Sequence, residues 1–113
     1  MDFNKQDTAV VITDPQNDFL SPEDGVTWGL VGASVEENGT VGHIDDLFRT
    51  AKEKDYNVFI APHYYFPTDE GWQFRGTLEN LMHEIGMFGR QGALTTEGFS
   101  GSDADWLEQY KPY

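Results

Sequence analysis

Two short apolar runs, each stopped by a proline, constrain this chain more than any other feature. Residues 8–13 read TAVVIT before Asp14-Pro15, and residues 57–61 read NVFIA before Pro62-His63. Short, continuous, β-branched runs of this kind are how strands buried on both faces of a parallel sheet read, whereas strands with one wet face alternate. Proline has no N–H to give a ladder and pushes the residue before it out of the helical region, so Asp14 is expected at the carboxyl end of its strand, facing a loop.

Between the runs, Ser34 with Glu37 three residues on reads as a capping box, and Val41, Ile44, Leu47, Phe48 and Ala51 recur at helical spacing. The pattern predicts one helix over about 35–54, its ordered part starting nearer Thr40 because Asn38-Gly39 weakens the first turns. Strand, helix and strand make a βαβ unit with a crossover connection. Its two strands end on one rim, so Asp14 and His63 are expected along the edge where open α/β sheets bind ligands.

The later chain has no further β-branched run. Tyr64, Tyr65, Phe66, Trp72 and Phe74 crowd one loop, where they could line an apolar pocket or pack as core or against another subunit. Leu78, Leu81, Met82 and Ile85 predict a helix over about 77–88. Ser102, Asp105, Trp106, Leu107 and Tyr110 predict another. The whole chain, residues 1–113, reads as a single domain.

With 7 Lys+Arg against 20 Asp+Glu, the formal charge is −13, and no basic stripe exists to neutralise phosphates. Nucleic acid is an unsuitable partner. No apolar run reaches membrane-spanning length and the amino terminus reads as no signal peptide, so a cytoplasmic protein without a membrane partner is expected. The chain has no cysteine, which removes disulfides, thiolate metal ligands and a thiol nucleophile of its own.

Other chemistries fail on the residues themselves. A calcium-loop pattern opened by Asp14 breaks at Phe19 and Gly25, where glycine and glutamate are required. His83-Glu84 starts HExxH, but residue 87 is Met. Neither GxGxxG nor GxxxxGK follows a strand, so no nucleotide cofactor is implied.

What remains is the segment Asp14-Pro15-Gln16-Asn17-Asp18-Phe19, a carboxylate at a strand end among amides. It could serve a general base, which needs a fixed position and tuning neighbours, or it could simply be an Asx turn. TAVVITDPQNDFLSPEDG resembles the opening of the isochorismatase-like hydrolases, the cysteine hydrolase family, with a hydrophobic strand running into D-x-Q-N-D-F. The likeness continues through the second strand and HYYFPTDEGW and covers the first part of the family's fold.

The resemblance implies a three-layer α/β/α, Rossmann-like fold on a parallel sheet, present here as the first βαβ unit with further loops and helices. It also implies an Asp, Lys and Cys triad at the carboxyl rim. Asp14 takes the position of the catalytic aspartate, while Gln16, Asp18 and Phe19 match residues that shape the substrate pocket. His63, Tyr65 and Trp72 are expected to border it. Relatives of the nicotinamidase type bind metal near this rim, but Tyr65 stands where the ligand spacing needs histidine, so no metal is expected. Lys111 lies in WLEQYKPY and does not take the role of the family's lysine.

The sequence is thus expected to be the amino-terminal part of a hydrolase of small amide, carbamoyl or vinyl-ether substrates, its lysine and cysteine supplied elsewhere. True isochorismatases cleave a vinyl ether by protonation from the aspartate, a route that needs no cysteine. The alternative is a non-catalytic remnant serving as an oligomerising interaction module. Two strands are few for an independent core, so a homo-oligomer or a completing chain is expected in either case.

Overall fold

The computed structural model describes residues 3–63, 73, 76–87 and 98–113. Strand β1 (Ala9–Thr13) pairs in parallel with β2 (Asn57–Ala61), in the register Ala9↔Asn57 to Thr13↔Ala61. Between them lie the single turn α1 (Asn17–Leu20), α2 (Trp28–Glu37) and α3 (Thr40–Glu53). After β2 come α4 (Thr77–Glu84) and a 3-10 turn at Glu108–Tyr110. The protein is therefore mixed α/β with a parallel strand pair, as the two apolar runs predict.

One expectation fails at the crossover, which holds two helices instead of one. Gly39 sits at φ +57, a left-handed conformation that costs glycine little and ends α2. Its N–H donates to the Glu36 carbonyl, while its own carbonyl accepts the His43 N–H that opens α3. Ser34 lies within α2 and caps nothing; its carbonyl accepts both the backbone and side-chain N–H groups of Asn38. The start of α2 at Trp28 falls in a stretch whose two glycines obscure helical spacing.

Helix α4 stops short of residue 88. Gly86 at φ +72 donates to His83 O and Met87 N–H donates back to Met82 O, the paired bonds of a Schellman ending. Near the carboxyl terminus the helix predicted from Ser102 is replaced by turns and an extended stretch. Gly98 and Gly101 both have positive φ, and Gln16 and Trp106 form an antiparallel bridge. The backbone there pairs with another segment, which leaves it unable to close helical turns.

The core lies on one side of the sheet. Leu20, Phe48 and Tyr110 are fully packed, with Ile12, Val58 and Ile60 from the strands against them. The Tyr110 ring meets Phe48 edge-on at 5.3 Å, and its hydroxyl donates to Val41 O at 3.0 Å. That pins the carboxyl-terminal turn to α3. The opposite face of the sheet is open: Val11 is 56% and Phe59 57% exposed, and they are register partners. Burial on both faces is thus not what the described residues give, because α3 and the terminal turn cover one face only. Leu47 likewise faces outward, although the helical spacing assigned it to the core.

Candidate functional site

The segment after β1 is built by close backbone approach. Asn17 and Asp18 donate their N–H groups to Asp105 O and Asp103 O at 2.8 and 3.1 Å, and Leu107 N–H donates to Pro15 O at 3.3 Å. Asn17 Nδ2 adds a bond to Ser102 O at 3.0 Å. The stretch 102–107 therefore lies along residues 15–18 like a splint. Lys111 secures its far end, with Nζ at 2.8 Å from the buried Asp105 carboxylate and 2.7 Å from Glu108. Those hydrogen bonds, Asp105 first, hold the ammonium above its ordinary value.

Gln16 ties three segments together. Wholly buried, it donates from Nε2 to His63 O and Ala104 O, both at 2.6 Å, and accepts His63 N–H on Oε1 at 2.8 Å. Its amide thus fixes the end of β2 against the end of β1. Asp18 is also fully buried, and its carbonyl accepts Thr27 N–H at 3.2 Å and Thr27 Oγ1 at 2.6 Å. Gly25 makes that fold-back possible, because a Cβ there would stand 2.5 Å from Ser21 O and 2.7 Å from Asn17 O. Only a residue without one fits.

Asp14 itself is half-buried and held at φ +53. Aspartate tolerates this left-handed conformation better than most residues, yet it is a strained state that the surroundings must enforce. The Asp14 N–H, donating to Ala61 O at 3.2 Å, carries the ladder one residue past β1. Its neighbour Pro15 is buried beneath the rim.

Asp14 and His63 line one cavity of about 300 Å³. Phe19 and Thr27, Leu30 and Val31 of α2, and Leu78, Leu81, Met82, Ile85 and Met87 from α4 and the turn after it complete its lining. The rim geometry expected from the strand ends is thus present, with Asp14, Phe19 and His63 brought together. Gln16 and Asp18 stand behind it, closed to solvent, bracing backbone. Tyr65 and Trp72, with Tyr64, Phe66 and Phe74, lie outside the described residues. Among the described residues no group of three His, Asp or Glu side chains could hold a metal ion.

The α2 and α4 walls are the site residues that sequence reasoning missed. Leu78, Leu81, Met82 and Ile85 were legible as a helix face, but nothing local says which element that face meets. No family model, curated protein or solved structure matches this chain.

Proposed function

We propose that this chain forms the aspartate-bearing part of a cytoplasmic, isochorismatase-like hydrolase acting on a small amide, carbamoyl or vinyl-ether substrate. Asp14 is its proton-transfer residue. One observation carries the reading: an aspartate held at positive φ at the end of a parallel strand shares an apolar cavity with His63. Phe19 and His63 border the substrate, while Gln16 and Asp18 keep the rim in register.

On the vinyl-ether route Asp14 delivers a proton to the terminal vinyl carbon, water adds to the resulting cation, and the hemiketal collapses to a ketone and an alcohol. On the amide route the thiol must come from elsewhere, since this sequence has none. The complete domain in this reading is a three-layer α/β/α sandwich with further parallel strands. The open face carrying Val11 and Phe59 supports it, because parallel sheets are stable when both faces are covered. That same face favours a second reading, a non-catalytic module that oligomerises through its sheet. No helix among the described residues is long and apolar enough to cross a membrane.

The test is Asp14→Asn in the natural polypeptide or complex that carries this sequence, assayed on a panel of amides, carbamoyl compounds and vinyl ethers. Loss of proton transfer should lower kcat/KM by about 10²–10⁴-fold. Unchanged turnover removes Asp14 from the chemistry, and a stable oligomer with no turnover on any substrate favours the module.

A further inference from the structure

We infer that the cavity between α2, α3 and the carboxyl-terminal stretch is a second ligand site, built for a small quaternary ammonium ion of the choline type. It is a different cavity from the one at the rim: Leu30 and Val31 of α2 line that one, whereas Trp28, Val35 and Glu36 of the same helix line this one. Its volume is about 340 Å³. Trp28, Gly32 and Glu36 are spaced four apart, so they form one stripe along α2. Gly32 is the buried residue of that helix, and a Cβ added to it would stand 2.5 Å from Trp28 Cε2, 2.7 Å from Cδ2 and 2.8 Å from Nε1. Cε2 joins the two rings of the indole and is open to approach only across a ring face. One face of Trp28 is therefore laid flat on Gly32, and the other is left for the cavity.

The chemistry of the walls selects the ligand. Leu20, Val35, Val41 and Leu107 have apolar side chains, and among the described lining Glu36 supplies the one charge. Residues four apart on a helix have Cβ atoms about 5–6 Å apart, which brings the Glu36 carboxylate beside a ring lying on Gly32. A cation within about 6 Å of an indole centre is attracted by the ring quadrupole, and tryptophan does this best of the aromatic side chains. An ion with N–H groups would lose its water without gaining acceptors along the aliphatic walls. A trimethylammonium group has no N–H to satisfy; its methyls suit those walls and its charge suits the indole and the carboxylate. Gln109 adds an amide for the hydroxyl at the far end of such an ion. About 150 Å³ suffices for benzene, so the cavity takes an ion of choline's size. The formal charge of −13 adds a field that draws cations in.

The test follows the Trp28 indole N–H by NMR in the full chain during titration with choline chloride. The signal should shift saturably, and the neutral alcohol in which carbon replaces the choline nitrogen should bind about tenfold more weakly or worse. Glu36→Gln should weaken choline by about three- to tenfold. Glu37→Gln changes the net charge equally at an exposed neighbour outside the lining, and should leave choline within about twofold. The methyl signals of Met82 and Met87, which line the rim cavity, should stay in place. No Trp28 shift with choline overturns the inference, as does equal binding of the neutral alcohol or a response confined to the two methionines. Equal losses in the two glutamine variants overturn it as well, because they leave only the general field of an acidic protein. Phosphatidylcholine vesicles should not sediment the chain; sedimentation would overturn the free ion as ligand in favour of a lipid headgroup.

Discussion

Asp14 and Gln16 stand two residues apart and differ in how much of their role could be read from sequence. The strand-then-proline pattern fixes where Asp14 sits, because a broken ladder is a local event. Gln16 makes its bonds to residues 47 and 88 positions away, and no local pattern encodes that. Tyr110 is a similar case, a core tyrosine whose burial, reinforced by the nearby Asp45 charge, pushes its hydroxyl above the ordinary tyrosine range. Lys111, raised by Asp105 and Glu108, acts in the same direction. A folded-state value raised above the unfolded one gives stability that is complete below the unfolded value and is lost as pH rises through the folded one. Urea midpoints should therefore hold to about pH 10 and fall beyond it. Tyr110→Phe should flatten that fall, at a cost of about 1 kcal/mol near neutrality from the lost bond to Val41 O.

Among the elements, the strands and α3 were legible because burial periodicity and β-branching are written locally. The division of the crossover at Asn38-Gly39 was only half legible, since Gly weakens a helix without saying whether it frays or turns. The left-handed Gly39 decides that it turns. Gly39→Ala should destabilise by about 1 kcal/mol through backbone strain, because the nearest atom to an added Cβ, His43 Cε1 at 3.6 Å, makes ordinary contact. Gly42, inside α3 with nothing within 4 Å of an added Cβ, should behave oppositely. Gly42→Ala should stabilise by about 0.5–1 kcal/mol, measured by thermal or urea unfolding. The residue 102–107 stretch misled because its apolar spacing suits a helix, while its backbone is committed to residues 15–18.

At the scale of the molecule, the described structure has a well-packed side and an open side. Phe48 is completely buried behind the sheet, whereas Phe59 on its far face is more than half exposed. Phe48→Ala should cost about 3–5 kcal/mol. Phe59→Ser should stay within about 1 kcal/mol in the chain alone, and a larger loss would mean that something covers that face. The open face is also why the three-layer architecture rests on resemblance: two strands fix a direction and a rim, but not the rest of a sheet.

Everything functional depends on the rim being assembled, with residues 15–18 splinted by 103–107 and the ends of β1 and β2 held by Gln16. Residue-resolved amide hydrogen exchange measures this directly. The N–H groups of Asp14, Asn17, Asp18, His63 and Leu107 should be protected to the same degree as the β1–β2 ladder, and Gln16→Leu should release His63 first. Exchange of those amides at unprotected rates, with the ladder still slow, would show that Asp14 and His63 are not held at a common edge.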